Sequence, residues 1–225
     1  LILAPPERPR APLFLCLPDL SLAPEDRWID ALGALSSALP RGGLAAQLRI
    51  PGGTGRALLR WGERLHRAIP SLPLIVNDRL DVAAALGARA VHLGRSSVGV
   101  GEARALLGAD LWVSRSCHDP AELEQASREG ASAALLSPVF SSPGKGTPLG
   151  IEALRGACAA FPRLPVLALG GVDPGNAERC LAAGARGVAV IRAALSPEGW
   201  PPLLLRARQG GAGREPAGAP GSAPR

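Results

Sequence analysis

The chain is predicted to be an α/β protein of the (β/α)8 TIM-barrel class, and three observations predict it. Eight short apolar runs recur along the 225 residues, with helical patterns between them. Most of the runs are continuous rather than alternating, as expected of parallel strands covered by helices on one face and packed into a core on the other. The stretches "LGARAVHLG" and "AAGARGVAVI" both pass from helix through Gly-Ala into strand, the tight connection of a repeating βα unit. Such units filling about 200 residues sit near the lower end of the size range of this barrel. A doubly wound open sheet is the runner-up, but no G-x-G-x-x-G follows the first run.

The strands are expected at 13–17 ("LFLCL"), 44–50 ("LAAQLRI"), 72–77 ("LPLIVN"), 90–94 ("AVHLG"), 111–116 ("LWVSRS"), 133–139 ("AALLSPV"), 166–171 ("VLALGG") and 187–191 ("GVAVI"). The first helix, "PEDRWIDALGALSSAL", opens on an acidic turn after Pro24. "DRLDVAAALGA" and "VGEARALLGA" both finish on Gly-Ala. "DPAELEQASREG" has Asp119 as cap, Pro120 at the first helical position and Gly130 at its end. "DPGNAERCLAAG" repeats that punctuation with Asp173, Pro174 and Gly184, and "VIRAAL" is expected to turn into a final helix. Residues 1–208 then form one barrel domain. The Gly/Pro/Ala/Arg-rich tail 209–225 is expected to be disordered, because it has almost no apolar bulk to bury.

Composition narrows the function. The chain is 47 % hydrophobic but only 3 % aromatic, so Leu, Val, Ile and Ala must fill the core. A net charge of +6 could suggest nucleic acid, yet arginines and acidic residues are interspersed without a basic run or an aromatic-studded strand. A partner that is a phosphorylated small molecule fits better; nucleic acid and membrane are excluded as partners, and a homo-oligomer is left open. Cys16, Cys117, Cys158 and Cys180 lack metal-ligand spacing, so reduced and mostly buried thiols in a cytoplasmic protein are expected. No apolar run reaches the roughly 18 residues of a membrane span. "LILAPPERPRAP" is too short and too proline-broken for a signal peptide.

In a barrel, chemistry sits where strands end and βα-loops begin. Gly170 and Gly171 close the seventh strand, and Ile191 and Arg192 close the eighth. Paired loops at those two places are a recurrent phosphate site, and glycine lets backbone N–H groups approach an anion closely. Gln47 and Arg49 share one side of the second strand, facing either the upper layer of the barrel or the helix layer. A buried Arg needs a partner, either a bound anion or a neighbouring carboxylate. Asn77 and Asp78 end the third strand as a polar pair at the mouth, with a helix-capping role for Asp78 as the bland reading. Among the three histidines, His66 lies on a surface-type helix and His92 reads as a satisfied core residue. His118 begins a βα-loop, where an imidazole can act as base near neutral pH. Lys145, the single lysine, sits in a Gly/Pro/Ser-rich loop with Ser142, suited to reach an anionic ligand.

Taken in order, "QLR", "LIVNDRLDVAAALGARAVHLG", "SRSCHDPAELEQA", "SPVFSSPGKGTPLG" and "ALGGVDPGNAERCLAAGARGVAVIRA" resemble the thiamine phosphate synthase and TenI-type thiazole tautomerase superfamily, from about Leu13 to Leu195. The resemblance implies a thiazole phosphate ligand, with Lys145 on a loop similar to the family's "PTxTKPG". It implies His118 as catalytic residue and Gln47, Arg49, Asn77, Ser116, Ser142, Lys145, Gly171, Ile191 and Arg192 as substrate-binding residues. Synthases join a pyrimidine pyrophosphate to thiazole phosphate and hold Mg²⁺ with two aspartates. Asp78 matches the first. Ser97 stands where "HxGQxD" places the second, Arg95 stands at its Gln, Pro51 replaces the Lys of "QLREK", and Gly144 replaces a Thr. Losing a carboxylate from a hard-cation site is serious, because Mg²⁺ demands oxygen anions in strict geometry.

These departures favour the tautomerase, which aromatises a thiazole carboxylate phosphate by moving one proton and needs no cofactor. "SRSCH" resembles its "GRSxH", although many synthases also carry a His there. The alternatives are a synthase, with Mg²⁺ and Asp78 as its ligand, or a non-catalytic binder of thiazole phosphate. An unrelated phosphate-binding barrel isomerase ranks last.

Overall fold

The computed structural model describes residues 11–39 and 42–200. Its strands are β1 (Phe14–Cys16), β2 (Leu44–Leu48), β3 (Leu74–Asn77), β4 (Ala90–Leu93), β5 (Trp112–Cys117), β6 (Ala133–Leu136), β7 (Val166–Leu169) and β8 (Gly187–Val190). They pair in parallel in chain order, and β1 closes on β8 through Phe14 opposite Val188. The helices are α1 (Glu25–Ala38), α2 (Gly55–Ala68), α3 (Leu80–Leu86), α4 (Val100–Leu107), α5 (Pro120–Arg128), α6 (Gly150–Ala160) and α7 (Ala177–Ala182). The expected (β/α)8 barrel is therefore the fold, with every expected strand present and most of them shorter than the apolar run that announced it.

Alternation along the strands sorts side chains into two cores. Leu15, Ala45, Ile75, Ala90, Trp112, Ala133, Leu135, Leu167 and Ala189 fill the lumen. Their neighbours, such as Phe14, Leu48, Val76, Val113 and Val188, face the helix layer together with the buried Trp28, Trp61 and Trp200. Two of these indoles are anchored: Trp28 Nε1 donates to the Asp19 carbonyl and Trp200 Nε1 to that of Ala193, each at 3.0 Å. All four cysteines are free, three of them buried, and burial pushes the Cys117 thiol up to about 12. None is a poised thiolate.

The αβ connections follow the predicted chemistry. Gly87 ends α3 in the left-handed region at φ 64°, and Gly130 follows α5 at φ 71°. Asp119 caps α5 by accepting from the Glu122 amide at 2.8 Å, with Pro120 at the first position.

Two expectations need correction. The segment after β8 is not a full helix but a 3-10 turn, Arg192–Leu195, followed by another at Pro197–Gly199. Pro197 has no N–H to extend the first turn. Asp173 does not cap α7: its Oδ1 accepts from Gly175 and Asn176, closing a tight turn, and α7 starts only at Ala177 after Asn176. The tail 209–225 lies outside the described residues, as does the stretch from 201 that precedes it. Among the described residues no helix is long and apolar enough to cross a membrane.

Candidate functional site

The alternation that fills the lumen with apolar side chains also sends Gln47, Asn77, His92, Ser114 and Ser116 inward, nearer the strands' C-terminal ends. Gln47 belongs to the upper layer of the barrel, and it is 1 % exposed. Its Nε2 donates to Asn77 Oδ1 at 2.8 Å, while its Oε1 is buried and accepts nothing. A lone buried acceptor is costly, and no protein donor among the described residues offsets that cost here.

Asn77 passes the chain onward, its Nδ2 donating to Asp78 Oδ2 at 2.7 Å. Asp78 sits at φ 58°, a left-handed conformation that Asp tolerates better than most residues, and this turns its carboxylate toward the β4–α4 loop. There Oδ1 accepts the Gly94 amide at 2.8 Å and the Ser97 hydroxyl. Asp78 is thus no helix cap; α3 begins after Arg79 without a side-chain cap.

Magnesium is the cation that a synthase would need here, and the residues present do not fit it. Three donors already occupy the Asp78 carboxylate. The neighbour across the loop is a hydroxyl that donates to it, and no cluster of three His, Cys, Asp or Glu with metal-binding geometry occurs among the described residues.

His92 bridges the hydroxyls of Ser114 through Nδ1 and Ser116 through Nε2, both at 2.9 Å. Burial pushes its imidazole down to about 4, with a smaller opposing pull from Asp78. It is a neutral strut, satisfied as the sequence suggested.

His118 follows β5 with its side chain about one-third exposed. Glu122, one turn into α5, was missed by the sequence reading. Its Oε2 accepts both the His118 amide at 2.7 Å and ring Nδ1 at 2.9 Å. Its Oε1 meets Arg95 Nε at 2.5 Å. Burial alone would raise this carboxyl, but the His118 hydrogen bonds and the charges of His118 and Arg95 outweigh it and hold it below its ordinary range. The signal was available: a Glu four residues after a loop-start His, on the first turn of a helix, faces back toward it. Beside this group lies a cavity of about 160 Å³, whose lining includes Arg95, Ser97, Arg115, Ser116 and Glu122.

Arg49 stands just past the end of β2, half-buried, and forms no ion pair among the described residues. Of the two partners expected for it, a carboxylate is near enough to act through charge, since Arg49 helps to hold the Asp19 carboxyl below its ordinary range after the Ser21 hydrogen bonds. On the opposite rim, Gly171 has φ 63°, and a Cβ there would collide with the Ser141 carbonyl and come within 2.8 Å of Phe140 Cβ. Only glycine fits under that loop. The amides of Gly171 and Arg192 donate to no group among the described residues, and the Ile191 carbonyl starts the 3-10 turn by accepting from Ala194. Ser142 and Lys145 lie on the β6–α6 loop, Lys145 exposed, its amide donating to the Ser142 carbonyl at 3.1 Å. Their side chains form no hydrogen bond or ion pair with the other candidate residues among the described residues. The structure thus links Gln47, Asn77 and Asp78 into one network and Ser116 into a second with His92. It leaves the lysine loop apart.

Comparison with known proteins identifies the family. The family profile described as thiamine monophosphate synthase matches residues 23–194. The thiamine-phosphate synthase of Gloeobacter violaceus is 40 % identical over 173 residues, covering 73 % of this chain but only 48 % of that protein. The thiamine-phosphate synthase of Chlorobium phaeovibrioides is 39 % identical over 165 residues, covering 69 % of this chain and 77 % of the relative. Thiamine phosphate pyrophosphorylase from Pyrococcus furiosus superposes with a TM-score of 0.74 at 24 % identity, over 86 % of this chain and 96 % of that one, a likeness of fold.

Proposed function

Because the chain belongs to the thiamine monophosphate synthase family, we propose that it serves thiamine biosynthesis by binding a phosphorylated thiazole at the barrel mouth and shifting a proton on it. The observation that carries this reading is the Asp78–Ser97 pair, which puts a hydroxyl donor where the coupling reaction calls for a second metal-binding carboxylate. A proton shift needs only an anchor for the phosphate and one positioned acid/base.

The amides of Gly171 and of the turn after Ile191 would take the phosphate, with Arg192 adding charge. Gln47, Asn77 and Ser116 would hold the ring, and Arg49, Ser142 and Lys145 would close over the anionic groups. His118, as neutral imidazole, would take the acidic proton of the thiazole ring carbon. The electron pair left behind moves into the ring to complete its aromatic system, and the exocyclic carbon receives the proton back from the imidazolium. Nothing is gained or lost overall, so one residue can serve both halves of the reaction.

The names of the relatives support a second reading, and they support it better than the first: thiamine phosphate synthesis, with release of pyrophosphate. They support the proton shift only as far as the family. Whole-chain identity averages over the scaffold, however, and the two reactions differ at a few rim positions, of which Ser97 and Pro51 speak against the coupling. The test is a ligand-bound structure with thiazole phosphate. The proposal requires the phosphate on the Gly171 and Ile191 side and the ring within reach of His118. An anion held only by the Gln47–Arg49 region would contradict it.

A further inference from the structure

We infer that Glu122 and Arg95 are positioning residues that lock the His118 ring in the tautomer with its proton on Nδ1, leaving the Nε2 lone pair as the free base. The kinetic arm of this inference rests on the proton-shift reading above; the structural arm does not.

An ionised carboxylate can only accept hydrogen bonds. Glu122 Oε2 faces His118 Nδ1 at 2.9 Å, so that nitrogen must carry a hydrogen, and the lone pair of the neutral ring is left on Nε2. The same oxygen accepts the backbone amide of His118 at 2.7 Å. One atom therefore grips both ends of the residue, fixing the ring's rotation as well as its tautomer.

The grip is itself anchored twice. Glu122 lies on the first turn of α5, whose start is capped by Asp119 at 2.8 Å. Its other oxygen is held by Arg95 Nε at 2.5 Å, and Arg95 Nη2 lies 3.9 Å from the Asp119 carboxylate. Arg95 rides on the β4–α4 loop, which is pinned from beneath. The guanidinium of Arg115, only 8 % exposed, donates to the Val98 carbonyl at 3.0 Å. The order of importance follows from exposure. The Glu122 side chain is 18 % exposed and that of Arg95 is 70 %, so solvent screens the arginine's contribution far more. Arg95 also shares its loop with Ser97, so one short segment holds both Asp78 and the imidazole.

The chain has three histidines, which makes ¹⁵N spectroscopy of the ring nitrogens tractable on the full-length protein. In the wild type, the neutral His118 ring should show a protonated Nδ1 and a bare Nε2, assigned by loss of its signals in His118→Ala. Glu122→Gln is isosteric but offers an amide that can donate as well as accept. It should give a mixture of tautomers and a kcat at least about tenfold lower, because part of the population then holds the base in the wrong tautomer, with KM little changed. Glu122→Asp should recover part of kcat, and Arg95→Gln, an exposed change that leaves the fold alone, should shift the tautomer signals in the same direction by less. A His118 tautomer pattern identical in wild type and Glu122→Gln would overturn the inference, whether or not the protein moves the proton. So would a Glu122→Gln defect confined to KM. If the wild type shows no proton shift while the tautomer responds as described, the proposed reaction fails and the positioning roles stand.

Discussion

The two halves of the barrel mouth offer a ligand different things. From β2 to β5 the rim is made of side chains already bonded to one another: Gln47 to Asn77, Asn77 to Asp78, Asp78 to Ser97, His92 to Ser116, and His118 to Glu122. From β6 through β8 the lumen is lined by Leu135, Leu167 and Ala189, and the rim presents main chain at Gly171 and after Ile191. The first arc can distinguish one reaction from another. The second can hold any group that accepts hydrogen bonds from amides, so its chemistry survives many changes of side chain. Two of the residues that depart from the synthase pattern, Arg95 and Ser97, belong to the first arc.

Breaking the reactive arc should have the largest effect. His118→Ala should lower the proton-shift rate by roughly a hundredfold to ten-thousandfold, the range of a general acid/base, while thiazole phosphate still binds. Kinetics and calorimetry on one preparation check both halves of that statement. Unchanged turnover would move the chemistry to another residue.

The same arc should also show in the pH dependence of stability. The folded-state pKa of His92 is about 4, below its ordinary value near 6.5. The unfolded chain therefore binds the proton first. Stability from the neutral imidazole is fully present above about 6.5 and is lost as pH falls toward 4, on the order of 2–3 kcal/mol. Denaturant titrations at several pH values should show this slope, and His92→Gln should flatten it.

In the backbone arc, Gly171→Ala should cost about 1–3 kcal/mol of stability through the left-handed conformation and the collision with the β6–α6 loop. It should also weaken phosphate binding, whereas a substitution at the exposed Gly146, where a Cβ meets nothing, should leave both alone. Thermal melts with and without thiazole phosphate test this. The smallest effect is expected at Lys145, whose exposed side chain neutralises no leaving group in a proton shift. Lys145→Ala should alter that rate only modestly. A loss as large as that of His118→Ala would favour the coupling reaction.

The contrast between the arcs also marks what the sequence could reveal. The barrel was legible because its signals are local and repeated: continuous apolar runs, Gly-Ala connections and Asp119-Pro120 at a helix start. The failures came where one side chain diverts the backbone, as Asp173 does before α7, or where Pro197 cuts short the segment after β8. The rim positions of the candidate site were legible from strand ends alone. Their wiring was not, because Gln47 reaches Asn77 across 30 residues and Ser97 reaches Asp78 across 19, and no sequence pattern encodes the φ of 58° that aims the carboxylate. Glu122 could have been found from its four-residue spacing to His118; its second partner, Arg95, could not.

The central claim is that this mouth moves a proton without a metal. Purified protein should be assayed for both reactions, thiazole tautomerisation and the joining of the pyrimidine pyrophosphate to thiazole phosphate, in EDTA and again with added Mg²⁺. The account predicts tautomerisation of equal rate in both conditions, with coupling undetectable or very weak. Robust thiamine phosphate formation that appears only with Mg²⁺ would contradict it.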